Sequence, residues 1–144
     1  MALYNISDIE RQTLINAALS ARNQSYIPYS HYAVGAALLT KNGDIITGCN
    51  IENASYGATN CAERTAFFKA VSEGIRDFRA IAIAGGMKGE VPSDYAYPCG
   101  ICRQVMQEFA GPDFVIIAAK SPEDYKEFTL AELLPFGFGG ESIR

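Results

Sequence analysis

The stretch Cys61-Ala62-Glu63-Arg64 is matched further along the chain by Pro98-Cys99-Gly100-Ile101-Cys102. This pair of motifs restricts the fold more than any other feature. A C-x-x-C at the start of a helix turns two sulfurs toward one point, and Cys61 stands at the start of a second predicted helix. A fold that serves both motifs must bring two helix N-termini together. Their positive ends lower thiolate pKa values and favour anionic ligands. Three thiolates, a free fourth position and a nearby carboxylic acid are the parts of a catalytic zinc site. The reading is therefore one zinc ion held by Cys61, Cys99 and Cys102, with Glu63 as the catalytic acid and base.

Other readings of these residues predict different things. A structural zinc module needs four protein ligands. The single histidine, His31, lies in an aromatic loop, and nothing in its spacing marks it as a ligand. A lone C-x-x-C in a reducing compartment reads as a redox motif, and the third cysteine argues against that. Cys49, alone on a predicted strand, reads as a small buried hydrophobe. Three thiolates around Zn²⁺ leave a local charge of −1, so one or both of Arg64 and Arg103 are expected to donate hydrogen bonds to the sulfurs.

The remaining pattern gives an α/β domain. Ser7-Asp8-Ile9-Glu10 is a capping box, followed by Leu14, Ile15, Ala18 and Leu19 at helical spacing, with the helix ending near residues 23–25. Tyr26 to Tyr32 form a loop with three tyrosines, which are expected to pack against something. Ala33 to Thr40 and Asp44 to Ile51 read as strands joined by Lys41-Asn42-Gly43, where both Asn and Gly tolerate positive φ. Residues 62–73 read as a helix with Gly74 just past its end, and Ala62, Ala66 and Ala70 line one face. Strands are expected at 78–85, 114–119 and 125–129, with a helix at 100–110 and a short capped one from Thr129. The expected architecture is a single domain over residues 1–144. It is a three-layer α/β/α sandwich around a mixed five-stranded sheet.

Bulk properties narrow the function. Net charge is −4 with no run of Lys or Arg, which disfavours long nucleic acids. No stretch approaches the roughly 20 apolar residues of a membrane span, and the first eight residues lack the features of a signal peptide. A cytoplasmic protein with free or metal-bound cysteines is expected. Only 19% of residues are charged, which suggests extra buried surface such as a subunit interface.

The two cysteine motifs resemble the zinc deaminases. Together with Asn50-Ile51-Glu52-Asn53-Ala54-Ser55-Tyr56-Gly57, the chain is similar to the free-nucleoside cytidine deaminases from its first helix through Glu132-Leu133-Leu134-Pro135. The resemblance implies hydrolysis of cytidine and deoxycytidine to uridine and deoxyuridine with release of ammonia, as in pyrimidine salvage. It also implies that Cys61, Cys99 and Cys102 bind the zinc and that Glu63 moves protons. Asn50 and Glu52 would grip the sugar 3′-hydroxyl, since residues i and i+2 of a strand face one side. The Ala62 N–H would hold the base O2, and Tyr32, where the family often carries Phe, would stack on the pyrimidine. A homotetramer is implied as well, with Tyr56 and Phe138 reaching a neighbour's pocket and the alanine face of the second helix fitting such an interface. A blasticidin-type deaminase shares the three cysteines but is not expected to need the Asn-x-Glu pair. A structural zinc interaction module ranks behind both.

Overall fold

The computed structural model of the chain describes residues 6–143. The reading of the first eight residues as no signal peptide falls mainly on residues 1–5, outside those described. Helix α1 (Asp8–Ala21) opens on the expected capping box, with Ser7 Oγ accepting from the Glu10 N–H and Glu10 accepting from the Ser7 N–H. A single 3₁₀ turn (Arg22–Gln24) closes it. There follow β1 (Tyr32–Thr40), β2 (Ile45–Cys49), α2 (Ala62–Ser72), β3 (Phe78–Met87), α3 (Gly100–Phe109), β4 (Val115–Ser121), β5 (Asp124–Thr129) and α4 (Leu130–Leu133).

The strands form one sheet in the order β2-β1-β3-β4-β5. Only β3 and β4 run parallel, and α3 supplies the crossover between them. The other three pairings are antiparallel, so the sheet is mixed as expected. Alternating residues separate two cores. Leu38, Ile81, Ile83 and Ile116 face α2 and α3 around Phe67, whereas Ala37, Leu39, Ala80, Ala82 and Ala84 face α1 through Leu14, Ile15 and Ala18. This explains why β3 reads as an unbroken apolar run, since both its faces are covered. Phe67 meets Phe78 edge-on at 5.1 Å and Phe114 at 5.9 Å.

Four sequence expectations need correction. Asn42 does not take positive φ; Gly43 alone does, at 94°, and its N–H donates to Thr40 O. The Thr40 N–H donates to Asp44 O at 2.9 Å, so three residues, 41–43, lie inside that bonded pair, and one left-handed residue suffices. Strand β2 ends at Cys49; Asn50 still donates its N–H to Val34 O at 3.1 Å, and Ile51 beyond it bridges Tyr26 and Asn60. Strand β3 runs to Met87, since its last residues still pair with the start of β1. Finally, the alanine face of α2 is buried within the chain. Ala62, Ala66 and Ala70 pack on the sheet, and Gly48 of β2 has no side chain to hold the helix away.

Candidate active site

Cys61 is the N-cap of α2 and Cys99 the N-cap of α3. Both helices lie on one face of the sheet, so their first turns converge. Cys61 Sγ lies 3.7 Å from Cys99 Sγ, and Cys99 Sγ lies 3.5 Å from Cys102 Sγ. All three sulfurs are within 4.8 Å of one another, and no other trio of His, Cys, Asp or Glu among the described residues forms such a group. Zn–S bonds of about 2.3 Å in a tetrahedron set sulfurs about 3.8 Å apart. The cluster fits a zinc ion with one position open. Cys49 is half-buried and stands outside it, with its thiol pushed up by burial.

The hydrogen bond with Cys102 is the main influence that pulls Cys61 down to about 5, and the Arg64 guanidinium helps. The same contact with Cys61 pushes Cys102 up, as does burial. Arg64 Nη2 donates to Cys61 Sγ at 3.3 Å, as expected for a group that draws charge from the sulfurs. Its Nε is buried without a partner among the described residues.

Arg103 does not share this task. Its Nε donates to Pro98 O at 2.8 Å and its Nη1 to Leu133 O at 2.7 Å. On α3 the side chain of residue 103 leaves the helix away from the sulfurs, where two carbonyls require a donor. It ties the residue before Cys99 to α4.

Glu63, in the first turn of α2, is 4% exposed. Burial, reinforced by the nearby Cys61 charge, raises its carboxyl to about 7. A carboxylic acid that gains and loses a proton near neutrality is suited to general acid–base work. The first-turn N–H groups of α2 have no helical acceptor, and Cys61 gives α2 no side-chain cap. The Ala62 N–H is therefore available to a ligand.

These groups open on a cavity of about 380 Å³ lined by Tyr32, Asn50, Cys61, Ala62, Glu63 and Cys99, with Tyr95, Ala96 and Tyr97 across from them. That volume lies within the range of small-molecule sites. A larger cavity of about 900 Å³ lies between the end of α1 and the β4–β5 turn, but it contains no sulfur or buried acid and offers no chemistry. The Tyr32 ring rests on Gly85, where a Cβ would come within 3.0 Å of it.

Asn50 and Glu52 lie beyond the end of β2 on either side of Ile51, in an extended segment whose Asn50 O and Glu52 N–H both bond Tyr26. Asn50 Nδ2 donates to Tyr32 O at 2.9 Å, and its Oδ1 accepts from the Val34 N–H at 3.0 Å. Glu52 lines an adjoining cavity with Tyr29, Ser30, Asn53 and Tyr56, and Thr59 borders both spaces. Tyr56 meets Tyr29 edge-on at 6.3 Å and is otherwise exposed. Phe138 is exposed too, and its carbonyl accepts from Gln104. Neither residue lines the cavity of its own chain.

The sequence analysis gives Tyr95 and Tyr97 no role, yet both line the cavity. Tyr95 donates to Asp124 Oδ1 at 2.5 Å, and Tyr97 meets Phe128 edge-on at 6.0 Å, so both fasten the cavity wall to β5. Two tyrosines just before Pro98-Cys99 were the available signal. Thr65 was also missed: its hydroxyl lies 2.9 Å from Cys49 O and 3.2 Å from Cys61 O, joining α2 to the end of β2.

Comparison with known proteins agrees with this geometry. A family model described as the cytidine and deoxycytidylate deaminase zinc-binding region matches residues 8–118. A cytidine deaminase of Halalkalibacterium halodurans is 52% identical over 135 residues, covering 94% of this chain and 98% of that protein. A blasticidin-S deaminase of Bacillus cereus is 33% identical over 141 residues, covering 96% and 98%. The crystal structure of a cytidine deaminase from Burkholderia pseudomallei superposes with a TM-score of 0.80 at 44% identity, covering 88% of this chain and 97% of that one. The convergent sulfurs, the buried acid and these likenesses place the chain in the cytidine and deoxycytidylate deaminase family of zinc hydrolases.

Proposed function

We propose that the chain hydrolyses cytidine and deoxycytidine to uridine and deoxyuridine with release of ammonia. The observation that carries this reading is the buried Glu63 beside a three-sulfur cluster, in a cavity that Asn50 and the Ala62 N–H also line. A zinc ion held by Cys61, Cys99 and Cys102 supplies Lewis acidity that lowers the pKa of a water molecule. Glu63 takes one proton from the attacking water and passes it to N3, then takes the proton of the new C4 hydroxyl and passes it to the amine, which leaves as ammonia. A C–O bond forms at C4 and the C4–N bond breaks. Arg64 steadies Cys61 and offsets the charge of the thiolates. The Ala62 N–H holds the base O2, Tyr32 stacks on the ring, and Asn50 and Glu52 meet the sugar.

The same reading assigns the protein to pyrimidine salvage in the cytoplasm, as a homotetramer whose active sites are completed across subunits. Tyr56 and Phe138 then enter a neighbour's pocket, which their exposure at 78% and 58% supports. Tyr26 and Tyr29, also exposed, would pack in the same interface. The net charge of −4 disfavours a nucleic-acid substrate, and no helix among the described residues is long and apolar enough to cross a membrane. The blasticidin-type alternative has the lower identity behind it, 33% against 52%.

Incubating the purified protein with cytidine, deoxycytidine, CMP, cytosine and blasticidin S while measuring ammonia tests the assignment. Turnover of the two nucleosides is expected. Turnover of CMP alone, or of blasticidin S alone, overturns it.

A further inference from the structure

We propose that Ser30 is a positioning residue for the sugar end of the substrate, acting through Glu52. The inference rests on the nucleoside reading above. It starts from a chain of hydrogen bonds that passes through one hydroxyl. Ser30 Oγ donates to Glu52 Oε2, while the N–H groups of Ser30 and Tyr29 donate to Oε1 at 3.1 and 3.0 Å. The same Ser30 Oγ accepts from the Tyr32 N–H at 3.0 Å. Tyr32 O then accepts from Asn50 Nδ2, and Asn50 Oδ1 accepts from the Val34 N–H. Ser30 is thus the only side chain in this relay that touches both Glu52 and the backbone of Tyr32. The relay also includes Asn50, so it connects all three residues assigned to the sugar and the ring.

The backbone gives this hydroxyl a second task. His31, between Ser30 and Tyr32, has φ of 58°, a region L-residues avoid. Such a residue persists only where its surroundings hold it. On one side Ser30 Oγ grips the next N–H, and on the other the Lys88 N–H donates to His31 O at 2.7 Å. Loss of the hydroxyl leaves the Tyr32 N–H without its acceptor and frees Glu52 Oε2 to rotate. An ionised carboxylate has about four acceptor positions, so Glu52 keeps room for a sugar hydroxyl after the three loop donors are served. The Ser30 hydroxyl is also the main reason that the Glu52 carboxyl lies below its ordinary value, which keeps it an acceptor.

The test compares the wild-type protein with Ser30→Ala and Ser30→Thr on cytidine and on 2′,3′-dideoxycytidine, which lacks the 2′- and 3′-hydroxyls. Losing a charge-assisted hydrogen bond that orients Glu52 should lower kcat/KM for cytidine about tenfold, mainly through KM. The dideoxynucleoside should lose less than about twofold, and Ser30→Thr, which keeps the hydroxyl, should recover most of the activity. In a Glu52→Gln background, Ser30→Ala should add less than about twofold. Equal losses on both substrates, or full additivity with Glu52→Gln, overturn the inference and leave the nucleoside reading intact. Failure of the wild-type protein to act on cytidine overturns both.

Discussion

Gly48 of β2 faces Ala62 of α2 so closely that a Cβ on Gly48 would lie 2.4 Å from the Ala62 carbonyl oxygen. The next obstacle, the Ala66 nitrogen, would be at 2.5 Å. Both are backbone atoms, so neither can swing aside. Ala62 directly follows Cys61, so any shift of the helix is transmitted to the first sulfur.

Gly48→Ala should therefore destabilise the protein by about 1–3 kcal/mol, the usual range for overpacking. Gly57→Ala is the control, because a Cβ there meets nothing within 4 Å, and it should change stability by less than about 0.5 kcal/mol. Urea unfolding of both variants decides the matter. Equal midpoints would show that β2 and α2 separate without cost.

Glu63→Ala should keep the fold and the metal while turnover falls at least a hundredfold, in line with loss of general acid–base catalysis. Metal content measured beside ammonia release separates the two effects. Turnover near the wild-type rate would mean that another group moves the protons.

Metal analysis should find one zinc per chain, and Cys102→Ser, which replaces the most buried ligand, should lose it. Removing the ion with a chelator should lower the thermal midpoint, and zinc should restore it. At a hundredfold excess over its Kd the ion contributes about 2.7 kcal/mol. An unchanged midpoint across this cycle would show that the three sulfurs do not hold an ion in the folded state.

The Glu10–Arg79 contact should make stability depend on pH. The Arg79 guanidinium, at 2.5 Å, is the main reason that the Glu10 carboxyl lies below its ordinary value of 4.5. A depressed folded-state value stabilises the protein above pH 4.5, and that contribution disappears as pH falls through the lower folded value. Glu10→Gln should be less stable than wild type at pH 7, with the gap narrowing below pH 4.5. A gap of constant size between pH 7 and pH 3 would show that the charge of Glu10 has no part in it.

What the sequence revealed followed the range of each interaction. Ser7 with Glu10 and Thr129 with Glu132 are capping boxes closed within three residues, and both formed as read. The apolar run over residues 78–85 was enough to mark a strand, and the two cores that cover its faces explain why the run is unbroken. The cysteine spacing exposed the metal cluster because two helix starts carry it. Arg103 was misread since its partner, Leu133 O, is thirty residues away and has no signature in the local pattern. The end of β2 was misplaced because the partners of Ile51, Tyr26 and Asn60, leave no mark in the local pattern. Tyr95 and Tyr97 escaped notice because their anchors, Asp124 and Phe128, belong to a hairpin formed later in the chain.

The division of the sulfurs between the starts of α2 and α3 also orders events during synthesis. When Cys61 leaves the ribosome it has neither partner sulfur of the cluster, and forty-one further residues must follow before Cys102 appears. At about 5–20 residues per second that interval lasts roughly 2–8 s. Throughout it Cys61 lacks its full set of partner sulfurs and must avoid oxidation, stray metals and pairing with Cys49. Only when α3 docks beside α2 does this exposure end, so the site becomes safe at the same moment that it becomes complete.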